Sequence, residues 1–172
     1  PITEASLSEK ASLIGRTGMM LLSCGTGAWR VRSSMNTLSE ALGITCSADI
    51  GLMSISYTCF DGESSFSHAL SLTTTGVNTS RLNRLEHFVS DFPAEGIHMS
   101  GEALHSQLDE IERIHGLYSP ASLGLASALA CGAFTFLLGG GPLEMILAFA
   151  GAGIGNAIRC KLGKHHFTLF MC

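Results

Sequence analysis

Apolar positions recur at helical spacing through the first part of the chain. Leu7, Ala11, Ile14, Gly18 and Leu21 fall on one face and predict an amphipathic helix. Val31, Met35, Leu38 and Leu42 predict a second helix, capped at Thr26 and stopped at Gly43. The spacing then changes. Met53, Ile55, Tyr57 and Cys59 alternate with polar residues, as a half-buried strand does. Asp61-Gly62 signals a hairpin turn, and Phe66, His68, Leu70 and Leu72 give the return strand. Helical spacing resumes in Leu82, Leu85, Val89 and Phe92 behind a cap at Asn78 or Thr79, until Pro93 and Gly96 break it. Ser100 caps a further helix, with Leu104, Leu108, Ile111 and His115 inward and Asp109, Glu110 and Glu112 outward. Residues 1–118 therefore read as a small α+β domain.

Beyond Ser119 the alternation of polar and apolar faces disappears. Ser119–Leu138 is a run of small and apolar residues, and no charge occurs from Ser119 to Leu143. Twenty helical residues would span roughly 30 Å, the thickness of a hydrocarbon core. Gly139-Gly140-Gly141-Pro142 makes a turn, and a second apolar run covers 143–158, interrupted by Glu144 and Asn156. Small residues recur every four positions: Gly124, Ala128 and Gly132, then Ala148 and Ala152, and Gly151 and Gly155. This spacing lets helices approach closely in lipid. The predicted architecture is an α+β cytoplasmic domain followed by an all-α transmembrane hairpin, with spans at 119–138 and 143–158 and a third beginning at 167. The hairpin is expected to be part of a truncated membrane bundle, and Pro1 suggests a trimmed chain. Arg159, Lys161 and Lys164 follow the second run and the glycine turn carries no cation, so the positive-inside rule places residues 1–118 in the cytoplasm.

Composition narrows the function classes. Only 14% of residues are charged, against about 25% in an ordinary soluble domain, and the mean hydropathy is +0.34. The net charge of −4 and absence of a basic footprint exclude a nucleic-acid binder. Six cysteines without a C-x-x-C pair read as reduced thiols rather than a disulfide framework. Phosphate-loop, dinucleotide, zinc-protease and nucleophile-elbow motifs are absent, and no catalytic residue, metal ligand or cofactor is predicted. His87, His98, His105 and His115 have no zinc-ligand spacing.

The order of short motifs resembles the N-terminal part of the threonine/serine exporter family, including its small split-subunit members tied to succinate export. The carrying residues are Gly18-Met-Met-Leu-Leu-Ser-Cys-Gly-Thr-Gly-Ala28, Arg30-Val31, Ala41-Leu42-Gly43 and Gly76-Val77-Asn78. They continue with Gly139-Gly140-Gly141 before Glu144, and end in Ala157-Ile158-Arg159. The resemblance covers residues 12–172. It implies a cytoplasmic domain fused to a multi-pass bundle in the bacterial inner membrane. It also implies a second exporter module, on the same chain or as a partner subunit, an oligomeric assembly in contact with lipid, and a small polar metabolite as substrate. Thr75 stands where relatives often carry a basic residue before the Gly-Val-Asn motif.

These readings combine into a component of a secondary exporter of threonine/serine or a dicarboxylate such as succinate. Candidate residues are Glu144 for proton or substrate coupling, Asn156 for a polar contact, and Asn78 and Arg81 for a docking or gating loop. An acid at the mouth of an apolar run is costly in lipid, although the first helical turn also suits one. The alternative is a membrane-tethered hydrolase-like or ligand-sensing α+β module.

Overall fold

A computed structural model describes residues 1–73, 75–114 and 119–163. It divides into two compact units, Pro1–Gly116 and Leu117–Cys172.

The first unit is built around α1 (Leu7–Ser23). Ser6 caps it by accepting from Glu9 N–H at 3.3 Å, and Glu9 places an acid in the first turn. α1 buries residues on more than one side, because α2 (Ala28–Ala41) and a sheet pack against it. The sheet contains β1 (Thr45–Ile50), β2 (Ser54–Phe60) and β3 (Ser65–Ser71), antiparallel in the order β1-β2-β3. Its inner face presents Ile55, Tyr57 and Cys59 from β2, while Ser54, Ser56 and Thr58 face outward. The antiparallel sheet is thus covered on one side only. Gly15 makes this packing close, since a Cβ there would lie 2.3 Å from Tyr57 Oη.

Local signals fix most of these boundaries. Gly43, at φ +68°, ends α2 in the left-handed conformation. Ile44 N–H reaches Ser39 O and Gly43 N–H reaches Glu40 O, a Schellman arrangement. Asp61 Oδ1 accepts from Glu63 and Ser64 N–H and shapes the β2–β3 turn, with Gly62 at φ +100°. α3 (Thr79–Asp91) is capped by Asn78 and α4 (Gly101–Glu112) by Ser100. Thr26 does not cap α2. Gly27 holds that position without a side-chain bond. β1 was not expected, because Cys46 and Ala48 are weak markers of a buried face.

The second unit contains α5 (Pro120–Leu137) and α6 (Pro142–Gly163). Gly139, at φ +85°, turns the chain between them, and Gly140 N–H closes on Thr135 O at 2.9 Å. Among the described residues no helix is long and apolar enough to cross a membrane. This finding corrects the expected fold class. The first apolar run forms only 18 helical residues, roughly 27 Å, short of a ~30 Å hydrocarbon core. α6 is longer, but Glu144, Asn156 and Arg159 interrupt its apolar character. The described chain thus has six α-helices and a three-stranded sheet, not a cytoplasmic α+β domain with a transmembrane hairpin. The run expected from 167, Lys164 and His115 fall outside the described residues.

Candidate functional site

In the first unit the segment from Thr75 to Arg81 meets two others, the end of α1 and the end of α4. The end of α1 supplies Ser23, whose carbonyl accepts from Gly76 N–H at 3.1 Å and from Thr75 Oγ1 at 3.5 Å. Gly25 follows at φ +76°, a conformation that favours glycine. Val77 lies across it, 3.5 Å from where a Cβ would stand. Two of the short motifs, distant in sequence, are therefore in direct contact.

Asn78 works in both directions. Its Oδ1 accepts from Arg81 N–H at 3.0 Å and caps α3, while its Nδ2 donates to Ile114 O at 3.0 Å. Arg81 Nη2 donates to the same carbonyl at 3.1 Å and to Glu112 O at 2.5 Å. Glu112 O is the last carbonyl of α4, and a guanidinium placed on it satisfies an acceptor that the helix leaves open and complements its dipole. Arg81 Nε is buried and has no partner. Cys24 lies nearby, and burial pushes its thiol up despite the neighbouring Arg81 charge. The arrangement is a latch that fastens the end of α4 to the start of α3. Arg81 is committed to carbonyls and Thr75 carries no charge, so the loop offers little to an anion.

A groove of about 400 Å³ adjoins this point, lined in part by Leu22, Gly25, Thr26, Ile50 and Leu52. Leu52 and Val77 are 78% and 83% exposed, and Trp29, against Gly27, is 72% exposed.

Glu144 and Asn156 form no common site. Twelve residues separate them on α6, which is about 18 Å along the axis. Glu144 is exposed and folds its carboxylate back over Gly141, where a Cβ would be 2.7 Å from Oε2. Asn156 is half-buried against α5, with Nδ2 3.4 Å from the position a Cβ would take at Gly124. That nitrogen is buried and has no hydrogen-bond partner. The α5–α6 seam uses Gly124, Ala128 and Gly132, as the spacing predicted, against Gly153, Asn156 and Phe149. Gly151 and Gly155 point away from it into open space.

Two of the acids that helical spacing turns outward on α4, Asp109 and Glu112, meet a cation of α1. Arg16 on α1 donates to Asp109, to Glu112 Oε2 at 2.9 Å and to His105 O at 3.3 Å on α4. The hydrogen bond and charge of Arg16 hold the Asp109 carboxyl below its usual range. The available signal was a lone arginine in the largely apolar α1, matched to acids three residues apart on α4. Among the described residues no group of three or more His, Cys, Asp or Glu has a metal-binding arrangement.

Searches of curated proteins and of solved structures return no match. Residues 12–172 match the model of the family ThrE, described as "Putative threonine/serine exporter". This is a family of transporters rather than an enzyme class, and exporters work at a membrane. The motif segments that meet around Ser23, Asn78 and Arg81 lie within the matched span, and the chain belongs to the threonine/serine exporter family.

Proposed function

We propose that this chain is the N-terminal component of a secondary exporter of small polar metabolites, with threonine and serine as its substrates, in a bacterial inner membrane. The family match over residues 12–172 carries this reading. A second module of the same family completes the exporter as an oligomeric assembly, on the same chain or as a separate subunit. The α5–α6 hairpin supports such a partner. Phe134, Phe136, Leu137, Leu143, Ile146 and Leu147 are all more than 60% exposed. Extended apolar surface of this kind marks contact with protein or lipid. The unpaired cysteines of the first unit, Cys24, Cys46 and Cys59, suit a location on the reducing, cytoplasmic side.

Asn78 and Arg81 are assigned to docking, because their bonds fix the end of α4 just before the chain continues toward the second unit. Glu144 is assigned to coupling, and Asn156 to a polar contact on the hairpin seam.

The test is efflux from cells that lack their own threonine/serine export. The chain and a second family module are expressed singly and together, and release of preloaded threonine, serine and succinate is followed. Threonine and serine efflux should require both components. Equal efflux with and without this chain would reject the proposal. Glu144→Gln should abolish coupled export without loss of the assembled protein, and wild-type export by that variant would remove its coupling role.

A further inference from the structure

β1 and β2 each carry one cysteine, and the register sets Cys46 opposite Cys59. The hydrogen-bonding phase of this ladder is fixed at its turn. Gly51 N–H donates to Ser54 O at 2.8 Å, which makes Gly51 and Ser54 a hydrogen-bonded pair. Antiparallel pairs alternate along the ladder. Ile50–Ile55, Ala48–Tyr57 and Cys46–Cys59 are therefore the non-hydrogen-bonded pairs. At such positions the Cα atoms approach to about 4.5 Å. That distance falls inside the roughly 4.4–6.8 Å range of a disulfide.

Both side chains lie on the inner face of the sheet. Cys59 is fully buried, Cys46 is half-buried, and both are free thiols. They also touch. A hydrogen bond from the Cys59 thiol holds Cys46 below its ordinary range against the effect of burial, and the same contact together with burial pushes Cys59 up. The more exposed member of the pair is thus the better nucleophile.

We propose that Cys46 and Cys59 are a reversible redox site, closing to a cross-strand disulfide by exchange with a small-molecule disulfide of the glutathione class. The Cys46 thiolate attacks one sulfur of the oxidant, the oxidant's S–S bond breaks, and one small thiolate leaves and takes a proton from water. The Cys59 thiol gives its proton to water and attacks the Cys46 sulfur of the mixed disulfide, expelling the second small thiolate. Two protein thiols lose two electrons to form one S–S bond, and the small disulfide becomes two thiols. The bond staples β1 to β2 at the end of the ladder far from the Gly51–Ser54 turn.

The full chain is equilibrated in buffers of increasing oxidised-to-reduced glutathione ratio and quenched with acid. It is then alkylated in denaturant and mapped by mass spectrometry. Cys46 and Cys59 should lose alkylation together along one curve and appear as one linked peptide pair. Both should return on treatment with dithiothreitol. Independent loss of the two thiols overturns the proposal, as does their full retention at the most oxidising ratio. In Cys59→Ala, the glutathione adduct at Cys46 should persist and rise roughly ten-fold over the wild type, since the resolving thiol is gone. An unchanged adduct level overturns the route through Cys46. The wild-type mapping decides the matter by itself if a variant fails to fold.

Discussion

Asn78→Ala removes two bonds of different kinds. The first is the α3 cap, Oδ1 to Arg81 N–H at 3.0 Å, and losing an N-cap costs about 1 kcal/mol. The second is Nδ2 to Ile114 O at 3.0 Å. A neutral hydrogen bond contributes about 1 kcal/mol, but Arg81 Nη2 still serves that carbonyl at 3.1 Å. The second loss is therefore smaller, about 0.5 kcal/mol. The sum, about 1.5 kcal/mol, is close to a ten-fold increase in opening of the first turn of α3. Hydrogen exchange in the full chain, read at the amide of Arg81, measures it. Asn78→Asp keeps the acceptor, gains a favourable charge at the helix start and loses only the donor, so it should exchange nearly as the wild type does. Arg81→Ala combined with Asn78→Ala leaves Ile114 O without either side-chain donor, and the pair should cost more than the two single changes added together. Wild-type exchange in Asn78→Ala, or equal effects of Ala and Asp, would refute the cap, and simple additivity of the Asn78 and Arg81 changes would refute the latch.

Gly15→Ala forces a methyl into the Tyr57 ring, with Oη at 2.3 Å from the new carbon. Overpacking of this kind costs about 1–3 kcal/mol, against about 1 kcal/mol gained in helix propensity. Urea unfolding should show a net loss, and a stabilised variant would contradict the close approach of α1 to β2. Asp109 has its pKa lowered by Arg16, so its contribution is present above the usual carboxylate range and lost as pH falls through the depressed value. Acid unfolding of the wild type should soften in that window, and Asp109→Asn should abolish the feature. A wild-type profile in that variant would count against the Arg16 pairing. Tyr57 is pushed up to about 12, first by burial and then by the nearby thiols Cys59 and Cys46. Its raised value favours folding below pH ~10, and this advantage disappears as pH rises toward about 12. Absorbance titration should show one of the two tyrosines ionising late, and Tyr57→Phe should remove that component.

The local grammar of the chain was legible from its residues. Asn78, Ser100 and Asp61 each act within three positions of themselves, and Gly43 stops its helix because only glycine takes that backbone turn cheaply. The helix faces Leu104–Leu108 and Val31–Met35–Leu38 are buried as their spacing demands. The motif order likewise carried the family, since it survives without any knowledge of contacts. What tertiary structure decided lies between residues far apart. β1 exists because its weakly apolar face pairs with β2, and the Cys46–Cys59 pair exists only in that register. Arg16 finds acids 93 and 96 residues away, and Asn78 finds a backbone carbonyl at Ile114, which has no side-chain signature at all. The expected membrane spans failed for a related reason. Hydropathy counts apolar residues, whereas crossing a bilayer needs an unbroken helix of sufficient length. Glycine turns and interrupting polar groups set that length only when the helices form. Caps and turns need a few neighbouring residues, but partners tens of residues apart are chosen by the packing of the whole unit.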